Sequence, residues 1–178
     1  MKSTTALPTD GPLLWTQTKA MRREYELRSE ADLLGHLRFE KSCGSLASAQ
    51  VDSQSWTFKR EGFLNPRVTV RAPNSEANVA VFRPNWTGSG VVEFLDGHNV
   101  QWRCANFWGS EWCFFRAETP LIRFKHHGGI LKVSASLEIA LAQETSADLP
   151  LLAAFGWYLM LLAAEDATIT AVTVATMG

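Results

Sequence analysis

The chain has 178 residues, 46% of them hydrophobic and 20% charged, with a formal net charge of −1; that is enough apolar material for one globular domain with a core of its own. Lys and Arg (17) balance Asp and Glu (18), which excludes nucleic-acid binding through overall charge and leaves room only for a local basic patch. The cysteines Cys43, Cys104 and Cys113 are odd in number and lack metal-type pairing, so they argue against a disulfide framework or a cysteine zinc site and point to a reducing, cytoplasmic setting.

Residues 1–20 read as a flexible lead-in. Met1 to Pro12 is polar, broken by Pro8 and Pro12, and lacks the apolar core of a secretory signal. A short apolar run, Leu13 to Trp15, offers a first strand. From Met21 onward the dominant signal is period two, the mark of half-buried strands. Leu33, Gly35, Leu37 and Phe39 share one face, with Leu34 the exception; Trp56 and Phe58 oppose Thr57 and Lys59; Val68 and Val70 oppose Arg67, Thr69 and Arg71. Val100, Trp102 and Cys104 alternate with Gln101 and Arg103, Ile122 and Phe124 with Arg123 and Lys125. The longest case carries Leu131, Val133, Ala135, Leu137 and Ile139 on one side. A one-residue slip would bury the intervening charges, so register is strongly specified.

Gly, Pro, Asn, Asp and Ser clusters punctuate these runs, and Asp96-Gly97 and Gly128-Gly129 suit two-residue hairpin turns. By short-strand criteria there are about a dozen strands joined mostly as hairpins. That predicts an antiparallel meander, sandwich or barrel.

One segment breaks the pattern. Leu149 to Ala164 is uncharged, rich in Leu and Ala and poor in β-branching, which reads as helix. Asp148 stands where an N-terminal carboxylate meets free backbone N–H groups, Pro150 is tolerable in the first turn, and Glu165 and Asp166 close the apolar run. At ~1.5 Å per residue the stretch reaches roughly 24 Å, short of the ~30 Å hydrocarbon core. A helix apolar on every face must be surrounded. The economical solution is a closed antiparallel β-barrel of about twelve strands wrapped around it, which also removes the edge strands. Gly156 then fits a place where a wall side chain, such as a Trp, presses on the helix backbone. The domain so defined spans residues 21–166 with its central helix at 149–164, and residues 167–178 are left as a tail or an extra strand.

The run Tyr25-Glu26-Leu27-Arg28, the segment Trp56-Thr57-Phe58-Lys59-Arg60 and Gly156-Trp157-Tyr158-Leu159 within an apolar helix together resemble the tubby C-terminal-like superfamily, which includes LURP-one-related proteins and phospholipid scramblases. The resemblance covers roughly Met21 to Ala164. It implies a twelve-stranded barrel around a hydrophobic helix, and a phosphoinositide-binding role. The chain departs from that pattern in continuing past the helix with Thr168 to Thr176 and in lacking a calcium-loop pattern of the scramblase kind.

Motifs for catalysis are absent. His36, His98, His126 and His127 have no spacing that sets two on one helical face for a metal, and His126 and His127 read as hairpin-end residues. No Gly-x-Ser-x-Gly elbow occurs, and Thr87-Gly88-Ser89-Gly90 reads as a turn, since no helix follows it. Cys104 and Cys113 are expected to be buried free thiols. No cofactor or metal is expected.

Two surface features point instead to binding. Phe107 and Trp108 fall in a turn, where they would form an exposed apolar tip for lipid or protein. Lys59, Arg60, Arg67 and Arg71, read as outward residues of two neighbouring strands and extended by Arg83, would form a basic patch suited to a phosphorylated headgroup. The expectation is a non-enzymatic binding or scaffold module whose partner is anionic membrane lipid or a protein, peripheral to a membrane. The alternatives are a hydrolase or lipid-modifying enzyme with a cleft on the barrel, and a scramblase-like membrane-anchored protein.

Overall fold

Alternation along the chain becomes a closed cylinder. The computed structural model describes residues 7–8, 11–30, 32–128, 132–140 and 147–176, with helix side chains through Thr173. Its strands are β1 (Leu13–Gln17), β2 (Glu24–Ser29), β3 (Asp32–Phe39), β4 (Ala47–Val51), β5 (Gln54–Glu61), β6 (Arg67–Arg71), β7 (Asn78–Pro84), β8 (Gly90–Phe94), β9 (Asn99–Cys104), β10 (Glu111–Arg116), β11 (Thr119–His127) and β12 (Ser134–Ile139), followed by helix α1 (Leu149–Thr176). Each strand pairs antiparallel with its sequence neighbour, and β1 closes the ring by pairing with β12, Leu13 opposite Leu137 and Trp15 opposite Ala135.

The first strand therefore belongs to the wall, and Leu7 ahead of it is buried. Leu34 has a local cause. The register slips between Leu27 and Arg28, so that Gly35 faces Leu27 while Leu33 faces Arg28. This bulge turns Leu33 out to solvent and packs Leu34 against the core. The turn at Asp96-Gly97 is a longer loop than expected, residues 95–98, closed by Phe94 N donating to His98 O. Gly129 and Leu131 lie outside the described residues.

Helix α1 runs along the barrel axis, and every residue from Leu149 to Leu162 is buried. Fully burying one large apolar side chain stabilises by about 1.5–3 kcal/mol. Trp15 donates from Nε1 to the Ala153 carbonyl at 3.1 Å and stacks on Trp157, which also meets Tyr25 edge-on. On another side Phe58 packs on Phe155 and Tyr158. At Gly156 the wall residue pressing on the helix is Phe124, supported by Phe114, in place of the expected Trp.

The helix does not stop at Ala164. It continues to Thr176, so residues 167–176 are helical, neither strand nor loose tail. Glu165 and Asp166 fall mid-helix and pair with Arg23 of the loop before β2 and Arg60 of β5, so they meet no unfavourable helix terminus. Asp148 O accepts the first helical bond from Leu152 N at 2.9 Å, while its carboxylate binds His98 Nε2 (3.0 Å) and Arg116 (3.1 Å). Although α1 is long and apolar enough to cross a membrane, 78% of its most apolar window is buried inside the barrel.

Candidate functional site

In an up-and-down barrel, alternate loops share an end. The loops after β1, β3, β5, β7, β9 and β11 gather where α1 leaves the barrel, which is fixed by Arg23 and Arg60 meeting Glu165 and Asp166. The remaining loops gather where α1 enters, beside His98, Arg116 and Asp148.

The two ends differ in charge. Among the described residues, loops at the exit rim carry Lys19, Arg22, Arg23, Lys41 and Lys132 against Glu40. The entrance end carries Glu30, Asp52, Glu76, Asp96, Glu118 and Asp148, and its described loops contain neither Lys nor Arg. A near-zero net charge thus conceals a polarised molecule.

The rim also carries the apolar tips. Met21, Phe63, Leu64, Trp86, Phe107 and Trp108 are each at least 85% exposed, and all lie in exit-rim loops. Of comparable size and exposure the entrance end offers Leu95, at 80%. Isolated exposed apolar residues are ordinary; a set gathered from separate hairpins on one end is not.

Local hydrogen bonds hold these tips outward. Asn106 Oδ1 accepts from Ser110 N (3.1 Å) and Glu111 N (3.2 Å), while its Nδ2 donates to Ser110 Oγ (2.8 Å). Gly109 supplies positive φ (70°), and Phe107 and Trp108 stand edge to face, centroids 5.5 Å apart. Asn85 Oδ1 organises the Trp86 loop by accepting from Thr87 N (2.9 Å) and Thr87 Oγ1 (2.6 Å). The polar residues that make these turns satisfy one another, so the aromatic side chains are left facing water.

Arginines tie the helix to the rim. Arg23 donates to Glu165 and to the carbonyls of Lys41 (3.2 Å), Ser42 (3.4 Å) and Gly44 (2.7 Å), with its guanidinium 3.6 Å from the Phe39 ring centroid. Arg60 donates to both oxygens of Asp166, at 2.9 and 2.7 Å. Tyr158 Oη donates to Ser45 O at 2.6 Å, and burial raises the pKa of that phenol. A cleft of about 620 Å³ opens beside the helix between Tyr25, Cys43, Leu161 and Ile169. A smaller one, about 240 Å³, lies between Trp86, Trp112 and Met160.

The expected basic patch is only partly assembled. Lys59, Arg67 and Arg71 do share the outer wall of β5 and β6, but they converge on Glu61, at 3.7, 3.5 and 3.5 Å. Arg60 is not outward: strand parity turns it with Phe58 toward the helix and Asp166. Arg83 pairs with Glu93 at 3.3 Å. Trp102, Trp112 and Phe114 are packing residues, with the two indoles stacked 5.3 Å apart.

The thiols divide. Cys43 and Cys104 are exposed, the latter contrary to expectation, because both sit past the ends of their strands' buried stretch at the rim. Cys113 is buried on the outer face between Arg103 and Arg123, and burial pushes its thiol up to about 11 against the arginines' opposing pull. His126 and His127 do end β11; burial lowers the His126 pKa, with His127 adding repulsion, and His127 Nε2 meets Ser136 Oγ at 2.9 Å. Among the described residues no group of three His, Cys, Asp or Glu could hold a metal ion.

Sequence reasoning picked out the Phe107-Trp108 tip and missed Trp86, Phe63, Leu64 and Met21. The usable signal was loop parity: apolar residues in alternate turns of a meander must meet at one end.

The architecture defines a class, the closed antiparallel barrel with an apolar helix along its axis. No family model, curated protein or solved structure matches the chain.

Proposed function

We propose that this chain is a non-enzymatic binding module that docks on an anionic membrane surface through the helix-exit rim. The observation that carries this reading is the grouping of Met21, Phe63, Leu64, Trp86, Phe107 and Trp108 on that one end. Aromatic side chains favour the membrane–water boundary, and each Lys or Arg held near an anionic leaflet contributes about 1 kcal/mol. Lys19, Arg22, Lys41 and Lys132 surround the tips, while the acidic entrance end faces away. The field would therefore orient the barrel as well as attract it. The side-wall cations, drawn onto Glu61, support headgroup binding less well than the rim does. The charged groups lining the clefts, Arg23, Arg60, Glu165 and Asp166, are held in ion pairs, which favours binding over catalysis.

Vesicle co-sedimentation tests the reading. Enrichment is expected on vesicles containing phosphatidylserine or a phosphoinositide over neutral phosphatidylcholine, with loss on Phe107→Ser plus Trp108→Ser and on Lys19→Glu plus Lys41→Glu. Equal partition to neutral and anionic vesicles, or indifference to both variants, would remove it.

A further inference from the structure

Beyond the Arg23 and Arg60 pairs α1 continues as residues 167–176, which read Ala-Thr-Ile-Thr-Ala-Val-Thr-Val-Ala-Thr without a charge, and the described side chains, residues 167–173, are exposed. Ile169 and Val172 are 64% and 59% exposed. Threonine hydroxyls would ordinarily oppose transfer into hydrocarbon, because an unpaired hydroxyl there costs several kcal/mol. For the described side chains the helix satisfies them itself. Thr168 Oγ1 donates to Ala164 O (2.9 Å), Thr170 Oγ1 to Asp166 O (2.9 Å) and Thr173 Oγ1 to Ile169 O (3.0 Å). Such i−4 bonds weaken a helix slightly in water, yet they are what an apolar solvent requires.

Charge stops at the rim. Glu165 and Asp166, the last charged residues of the helix, are paired with Arg23 and Arg60 at the level of the loops. From there, at ~1.5 Å per residue, residues 167–176 extend about 15 Å, half of a ~30 Å hydrocarbon core.

We infer that residues 167–176 enter the hydrocarbon of a single leaflet, so that the barrel is held as a half-spanning anchor with the Arg23–Glu165 and Arg60–Asp166 pairs at headgroup level. This rests on the rim docking proposed above. The occupant of the emergent helix is lipid, argued from the cations around it, the continuity with the apolar tips and the internal pairing of the hydroxyls. A second copy packed helix against helix is the competing arrangement.

The full chain, with Cys43→Ser, Cys104→Ser and Ile169→Cys, is labelled with bimane and bound to phosphatidylcholine–phosphatidylserine vesicles carrying nitroxide lipids at shallow or deep acyl positions. Quenching by acyl-chain nitroxide is expected, strongest from the shallow position because residue 169 lies only about 4–5 Å beyond Asp166 at ~1.5 Å per residue, with aqueous iodide losing access on binding; a label at Leu95→Cys should respond to neither. In parallel, Ile169→Glu plus Val172→Glu should lose vesicle binding at high salt by at least about tenfold while keeping the weaker low-salt association. Vesicle-bound protein whose residue-169 label stays open to iodide overturns the insertion and leaves the docking intact. Failure of the parent chain to bind vesicles overturns both. A lipid-free dimer that Ile169→Glu plus Val172→Glu dissociates assigns the helix to a second copy and also overturns the insertion.

Discussion

Gly156 of the buried helix lies against the ring of Phe124 on β11 so closely that a Cβ at residue 156 would overlap the ring edge and sit 3.0 Å from Phe114. Alanine would gain about 1 kcal/mol of helix propensity, but overpacking a full core costs about 1–3 kcal/mol, and both rings are fully buried. Gly156→Ala is expected to destabilise by up to about 2 kcal/mol in urea unfolding. Adding Phe124→Leu should recover part of that loss, since the second change makes the missing room; independent, additive losses would show that the contact is not the cause.

Two stacked indoles give an internal comparison. Trp15 Nε1 has its partner in Ala153 O, whereas Trp157 Nε1 is buried with no partner among the described residues. Both rings are fully buried. Losing a satisfied donor leaves a carbonyl short by about 1 kcal/mol or more, while losing an unsatisfied one relieves a similar penalty. Trp15→Phe should therefore cost at least about 1 kcal/mol more than Trp157→Phe. Equal costs measured by chemical denaturation would contradict the assignment.

The rim arginines are not equivalent. Arg23 joins a carboxylate, three carbonyls and an aromatic face, with its side chain 15% exposed. Arg60 shares one nitrogen, Nη1, between the two Asp166 oxygens at a more open site. An exposed pair contributes about 0–1 kcal/mol, whereas a buried network can lose several. Arg23→Ala should lower stability by about 2 kcal/mol and Arg60→Ala by under about 1. Arg23→Lys should not rescue, because an ammonium lacks the planar fork.

Cys113 sets part of the alkaline limit. Its thiol ionises near 9 when unfolded and near about 11 in the barrel, because burial opposes the thiolate. Between those values unfolding releases a proton, so stability is complete below pH 9 and falls as pH rises toward 11, by up to about 1.4 kcal/mol per pH unit. Tyr25 and Tyr158, raised by burial, act in the same direction at higher pH. Cys113→Ala should make the decline in unfolding free energy between pH 8 and pH 10 shallower by about 1.4 kcal/mol; an unchanged slope would show that the thiol does not titrate in this way.

Charge placement distinguishes the wall from the rim. Arg67→Glu plus Arg71→Glu should reduce binding to phosphatidylserine vesicles less than Lys19→Glu plus Lys41→Glu does. Glu61→Gln, which frees Lys59, Arg67 and Arg71 from their common carboxylate, should strengthen binding modestly and in a salt-sensitive manner. The reverse ranking in co-sedimentation would return the site to the side wall.

Much of the fold was legible because period-two alternation and an uncharged helix impose complementary demands. Val68 and Val70 opposite Phe82 and Ala80, or Leu137 between Phe124 and Leu13, are buried as their alternation requires. Leu33 and Leu34 were harder, since a bulge obeys the partner strand and leaves no local mark. The end of α1 was misjudged because Glu165 and Asp166 look like a terminus until Arg23 and Arg60, distant in sequence, are seen beside them. Arg60 was misplaced for a related reason: at a strand end its long side chain can reach a helix that only the tertiary structure brings near. The rim tips escaped notice because each is an ordinary loop residue until loop parity assembles them.

Pairing of β1 with β12 makes the wall a hoop fastened between its earliest and its latest strand, while α1 is the axle inside it. With carboxylates at Asp148, Glu165 and Asp166 flanking the apolar stretch, the axle cannot be threaded through a finished hoop without dragging charge along the lumen. The ring must therefore be fastened around the helix. On a ribosome, the twelve strands would wait as an open sheet until the helix beyond residue 139 had emerged, making that interval the chain's moment of greatest risk for misassociation.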